Sequence, residues 1–211
     1  MRFTHFGHAC VLTEVGGARF LFDPGEWSAG YAEARDLDAI LITHKHFDHL
    51  DPEGVRHLAE SNPDARVIAD PESARELSGM GLETTVASPG ASFEVGGVTI
   101  TAVGGQHAVV HAEIPVLRNT GYIVGQGEFY HPGDSFFVPD CAVDALGLPT
   151  GGPWLKVSEA VDFLRLVAPR VALPIHELSL AKPQAHYRMF TNLAPGTTRV
   201  RVPDRGAAME I

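Results

Sequence analysis

Seven consecutive residues, Thr43-His44-Lys45-His46-Phe47-Asp48-His49, constrain this chain more than any other stretch. Three imidazoles and a carboxylate fall within the six positions from His44 to His49. Imidazole and carboxylate are the ligands that suit zinc, manganese and iron. The apolar run Leu37-Asp38-Ala39-Ile40-Leu41-Ile42 leads into them, and Asp51-Pro52-Glu53 follows. That order reads as a buried strand, a metal-binding loop and a helix with Pro just inside its start. A helix would send His44 and His46 to different faces, whereas a loop at a strand end can aim adjacent side chains at two points. The spacing therefore suits two neighbouring metal ions held by one loop. A lone histidine is usually a surface or satisfied core residue. Four ligand-type residues in six positions after an apolar strand are read as a metal site.

With 211 residues the chain can bury a substantial core, and one domain spanning 1–211 is the expectation. Its composition, 45% hydrophobic and 20% charged, is that of a globular protein. The formal charge is −10 and no Lys/Arg-rich run could track a phosphate backbone, which argues against a primary nucleic-acid role. Cys10 and Cys141 lie far apart, so a disulfide framework is not expected and a reducing compartment fits better. Met1-Arg2-Phe3-Thr4-His5 opens directly into strand-like sequence without signal-peptide features, and no apolar stretch approaches the length of a membrane span. The expectation is a soluble cytoplasmic protein with no stable membrane insertion.

Alternation and turn signals place strands at 2–6, 9–15, 18–22, 40–43, 66–69, 92–95, 98–103, 121–124, 128–131, 143–148, 171–174 and 199–202. Gly16-Gly17 and Gly96-Gly97 suit tight hairpin turns. Helices are expected at 52–60, 71–78, 157–167 and 184–193. Both halves begin with hairpins and continue into strand–helix alternation, a mixed α/β (α+β) pattern that suits two sheets packed face to face with helices outside.

Other polar residues repeat the arrangement of the first motif. Asp23 follows the strand ending at Phe22, His107 follows Gly104-Gly105-Gln106, Asp134 stands in His131-Pro132-Gly133-Asp134, and His176 follows Val171-Ala172-Leu173-Pro174-Ile175. Ligands at several strand ends can converge on one sheet edge, where a rigid sheet holds their geometry. On these residues the chain resembles the metallo-β-lactamase fold superfamily over nearly its whole length. Phe6-Gly7-His8-Ala9, Leu21-Phe22-Asp23-Pro24 and His131-Pro132-Gly133-Asp134-Ser135 look like a narrower branch. That branch includes ascorbate-6-phosphate-lactonase-like and N-acylphosphatidylethanolamine phospholipase D-like proteins.

The resemblance implies a four-layer αββα sandwich with a dinuclear site. Carried over, His44, His46 and His107 hold the first of two divalent metal ions. Asp48, His49 and His176 hold the second, and Asp134 bridges them. Zinc is the expected metal, with manganese or iron as alternatives. A metal-bound hydroxide, formed because a favourable zinc site lowers the pKa of water to about 7, would attack carbon or phosphorus. Asp48 and Asp134 thus carry catalysis as well as metal.

His111 competes with His107 as the third histidine, but the Gly-Gly-Gln lead-in puts His107 first past its strand. His111 is then either a proton donor to a leaving group or a surface loop residue. Asp23 either buttresses the metal loop or is an ordinary Asp-Pro-Gly turn. His8 either faces the site or shapes a turn. His131 is expected to orient the Gly-Asp loop, Asp51 to cap a helix before Pro52, and His57 to be solvated. His5 and His186 have no supporting context. Cys141 is expected to be a small buried residue. Trp154 suits packing at a helix start better than a pocket wall, and residues 27–31 suit a loop rimming the site.

The expected activity is metal-dependent hydrolysis of a small-molecule ester, lactone or phosphodiester. The chain looks too short for the inserted domain of nuclease relatives, the helical domain of glyoxalase II enzymes or the extension of membrane-associated phospholipase D relatives. A di-iron oxidoreductase fits less well, because flavodiiron relatives place Glu where this chain has His46 and add a flavin domain. A non-catalytic metal- or ligand-binding regulatory protein would predict a broken ligand set.

Overall fold

All four residues of β4 (Ala39–Ile42) are buried, and alternate ones join different cores: Ala39 and Leu41 in one, Ile40 and Ile42 in another. A strand with a side-chain period of two does this only when apolar layers cover both its faces. The computed structural model describes residues 1–211 and shows those layers. One seven-stranded sheet runs β14-β1-β2-β3-β4-β5-β6. Its strands are β1 (Arg2–Gly7), β2 (Cys10–Val15), β3 (Ala18–Phe22), β4, β5 (Arg66–Ala69), β6 (Thr84–Val86) and β14 (Ala208–Glu210). The other runs β13-β12-β11-β10-β9-β8-β7. It is built from β7 (Ser92–Val95), β8 (Val98–Gly104), β9 (Thr120–Val124), β10 (Phe129–His131), β11 (Ala145–Pro149), β12 (Val171–Ile175) and β13 (Arg199–Val200).

Phe3, Phe20, Phe22 and Leu41 of the first sheet meet Ile100, Tyr122, Phe129 and Leu173 of the second in the central core. Helices α1 (Pro52–Ser61) and α2 (Pro71–Gly79) cover the outer face of the first sheet through Val55, Leu58, Ala74 and Leu77. Helices α3 (Val157–Val167) and α4 (Gln184–Leu193) cover the second through Ala160, Phe163, Leu164 and Phe190. The result is the expected αββα sandwich. No helix is long and apolar enough to cross a membrane.

Pairing directions decide where the site lies. Strand β3 runs parallel to β4, and β1 is antiparallel to β2, itself antiparallel to β3, so β1, β3 and β4 end on one edge. In the second sheet β8 and β10 flank the antiparallel β9, and β10, β11 and β12 are parallel, so their ends share an edge too. The residues following these strands include His8, Asp23, His44, His107, Asp134 and His176.

Several boundaries differ from the sequence pattern. Strand β2 begins at Cys10 rather than at 9, and β13 ends at Val200 rather than at 202. Strand β11 begins at Ala145 rather than at 143, because Asp144 donates its amide to Gly127 O instead of to the ladder. The short strands β6 and β14 and a 3₁₀ turn at Tyr31–Glu33 are additional. Both strands are three-residue edges without buried alternation, held by partners and not by their own pattern. Cys141 is exposed, not buried, because it falls in the loop before β11.

Candidate metal centre

Two groups of ligand-type side chains meet at this edge. His44, His46, His107 and Asp134 form one, and His8, Asp48, His49 and His176 the other, with the ligand atoms of each group within 4.8 Å of one another. Asp134 faces both. Its Oδ2 lies 3.2 Å from His107 Nε2, while its Oδ1 lies 3.0 Å from both His49 Nε2 and His176 Nε2. His111 joins neither group: it stands exposed, its Nδ1 accepting the Glu113 amide at 3.2 Å. Strand β8 runs on to Gly104, so His107 sits three residues beyond its end rather than directly after it.

Four of the inward-facing rings are held from behind. His49 Nδ1 donates to Asp23 Oδ2 (2.7 Å), His107 Nδ1 to Ala108 O (2.6 Å) and His176 Nδ1 to Gly151 O (2.6 Å). His44 Nδ1 lies 3.0 Å from the Thr43 hydroxyl, which donates to Asp23 Oδ2 at 2.7 Å. A neutral imidazole whose Nδ1 donates presents a bare Nε2 lone pair, the state a metal requires. The Nε2 atoms of His49 and His176 then face each other at 3.0 Å. His44 Nε2 and His46 Nδ1 stand equally close at 3.0 Å. Opposed lone pairs at that distance need a cation or proton between them. Buried His107 Nε2 and Asp134 Oδ1 have no hydrogen-bond partner. The donor set and its orphaned atoms fit metal binding.

The electrostatics agree. Burial disfavours a charged His49, yet the Asp134 and Asp23 carboxylates hold it well above the usual imidazole range. Burial also opposes ionisation of Asp134, but His176 and His49 keep it well below the usual carboxylate range. Burial, followed by the charge of His49, pushes His44 well down. The centre is thus built around ionised carboxylates that call for positive charge.

Asp23 is the buttress. It is fully buried, and its Oδ1 also accepts the Thr43 amide at 2.8 Å. His8 is grouped with the second set by distance, but its hydrogen bonds give it another part. Its Nδ1 accepts the Leu178 amide (3.3 Å), so Nε2 carries the proton and donates to Asp48 Oδ2 at 2.9 Å. Burial, only partly offset by Asp48, lowers His8 to about 4. For Asp48 burial acts upward, but the His8 hydrogen bond and the His49 charge bring it to about 2. His8, Asp23 and His176 all have positive φ, at 52°, 44° and 60°. Left-handed backbone at non-glycine residues is strained and collects at functional sites. Gly25 permits another close approach, since a Cβ there would run into the Asp48 carbonyl.

The loop carrying Asp134 is pinned by residues with no motif of their own. Asn119 Oδ1 accepts the Asp134 amide at 3.0 Å, and its Nδ2 donates to Pro132 O at 2.9 Å. Trp154, expected to pack at a helix start, instead donates its indole N–H to Asp134 Oδ2 at 2.6 Å. Its ring lies between His107 and His176, with centroids 5.9 and 6.1 Å away, and against Phe136 at 5.1 Å. Only their tertiary partners reveal these two residues. His131 orients the loop as expected, donating from Nε2 to Ala9 O (2.9 Å) and accepting the Gly133 amide at Nδ1 (3.1 Å). Asp51 caps α1 by accepting the Gly54 amide at 3.0 Å, and His57 is exposed. Buried His5 bonds His8 O at 2.9 Å, and His186 bonds Thr150 O at 2.7 Å.

Two facing sheets, outer helices and a histidine–aspartate centre at the strand ends define the metallo-β-lactamase class of folds. The family model for the Beta-lactamase superfamily domain matches residues 2–176. Protein Rv0786c of Mycobacterium tuberculosis is 46% identical over 202 residues, covering 94% of this chain and 93% of that protein. A UPF0173 metal-dependent hydrolase of Aeropyrum pernix is 31% identical over 201 residues, covering 83% of this chain and 81% of that one. A crystal structure of a Parabacteroides distasonis protein shares the fold, with a TM-score of 0.79 at 24% identity over 96% of this chain and 92% of that one. The chain belongs to the beta-lactamase superfamily and, within it, to the metal-dependent hydrolases that its UPF0173 relatives represent.

Proposed function

We propose that this metal-dependent hydrolase works with two divalent metal ions, one on His44, His46 and His107 and one on Asp48, His49 and His176, with Asp134 between them. The orientation of Asp134 carries the reading: one oxygen faces His107, and the other lies 3.0 Å from both His49 and His176. Zinc suits the set, and manganese and iron suit it too. When bound, such a pair supplies Lewis acidity that activates water near neutral pH and polarises the oxygen that gains charge.

The chain's own residues prepare the site for that chemistry. Asp23, Ala108 O and Gly151 O each accept from an Nδ1 and so turn the Nε2 atoms of His49, His107 and His176 toward the centre. His8 keeps Asp48 ionised and oriented. His111, exposed and outside both groups, is the candidate for giving a proton to the leaving group. The substrate is a small-molecule ester, lactone or phosphodiester. The net charge of −10 supports a substrate other than nucleic acid, and two free cysteines support residence in the reducing cytoplasm.

Ester and phosphodiester hydrolysis before and after chelation is the test. Chelation abolishes turnover and added zinc, manganese or iron restores it, whereas Asp134→Ala recovers neither metal nor turnover. Turnover that survives complete chelation contradicts the proposal.

A further inference from the structure

We propose that the substrate is a carboxylic ester or lactone with an extended apolar acyl body. This rests on the hydrolase reading above and narrows it. Single exposed apolar side chains are ordinary, but their concentration around a site marks a ligand surface. Trp27, Phe47, Val109, Ile114, Val116 and Phe137 are all between 41% and 60% exposed. Five stand on loops that carry a ligand-type residue of the centre, and Trp27 stands on the loop that begins at Asp23.

These side chains form two flanks. On one, the Trp27 ring packs 4.8 Å from His8 and 5.4 Å from Phe47, which lies between His46 and Asp48 in the chain. On the other, an open cleft beside His107 is lined by Val109, Phe136 and Phe137, with Arg118 as its one formal charge. Trp154, touching both histidine groups and Phe136, joins this flank to the centre. Lys45, the cation inside the metal motif, is tied to Glu72 at 3.6 Å. Outside the metal positions the walls therefore offer an incoming substrate mostly apolar surface and one cation, Arg118. An extended acyl chain covers that exposed aromatic surface, which a compact phosphodiester would leave bare.

The reaction consumes one water. Its oxygen bonds to the acyl carbon, and the acyl C–O bond breaks. One proton goes to the leaving alkoxide and the other to solvent, leaving a carboxylate and an alcohol, tethered together when the substrate is a lactone.

The metal-loaded protein is assayed on p-nitrophenyl acetate, butyrate and octanoate and on bis(p-nitrophenyl) phosphate. Full burial of one methylene is worth about fourfold, so even partial burial raises kcat/KM at least about tenfold from acetate to octanoate. Phe47→Ala and Phe137→Ala flatten that rise while metal content is kept. A readout independent of turnover uses the two tryptophans, Trp27 and Trp154, both beside the centre. Octanoate changes their fluorescence at concentrations where acetate does not. Chelator-sensitive ester hydrolysis with no chain-length dependence and no fluorescence response overturns this inference and leaves the hydrolase reading standing. Preference for the phosphodiester over every ester also overturns it. A fluorescence response to octanoate without turnover of any substrate supports the apolar surface and counts against the hydrolase reading instead.

Discussion

At the scale of single residues, the centre depends as much on what stands behind the ligands as on the ligands. Trp154 donates to the carboxylate that faces both histidine groups, across 20 residues of sequence. Trp154→Phe keeps an aromatic side chain and removes the N–H together with the five-membered ring that carries it. Loss of a partner that orients a ligand typically costs about 10- to 100-fold in metal affinity, and that is the loss expected in a metal titration of this variant. An unchanged affinity would make Trp154 a packing residue only. His107 and His111 separate in the same titration. His107→Ala loses metal because its orphaned Nε2 faces Asp134, whereas His111→Ala keeps metal and lowers turnover. The reverse order would exchange their roles. The candidate ligands are legible in the sequence because the stretches that carry them follow apolar strands. Asn119 and Trp154 are not, because their function exists only through the folded approach of Asp134, 15 and 20 residues away.

At the scale of elements, the metal loop is gripped between backbone and carboxylate. Asp23 holds it by the Thr43 amide and hydroxyl, and Gly25 lets the Asp48 carbonyl approach its Cα. In Gly25→Ala the new methyl meets main chain that cannot swing away. Overpacking of this kind costs up to about 3 kcal/mol, a fall of roughly 6–12 °C in Tm for a chain this long. Thermal unfolding monitored by circular dichroism checks it, and a Tm within a degree or two of the parent would show that the loop yields freely. Strands with strong alternation or continuous burial, such as β4 and β12, are readable from pattern because both their faces are committed. The short edges β6 and β14 are not, since pairing to β5 and β1 alone defines them.

For the whole molecule, two sheets of opposite strand order bring loops from distant parts of the chain to one rim. His49 and His176 are separated by 127 residues and face each other at 3.0 Å. The central core joining both sheets keeps that distance, so a rigid sandwich does what a flexible loop could not. The layered architecture is legible in the order of strands and helices. The substrate is not, because the loops that shape its surface have no period and show their apolar flanks only once folded. The central claim is that Asp134 joins two metal positions. Anomalous diffraction from crystals of the zinc-loaded protein measures this most directly. Two peaks are expected, one among His44, His46 and His107 and one among Asp48, His49 and His176, each in contact with a different oxygen of Asp134. A single peak, or peaks that leave Asp134 without contact, would contradict it.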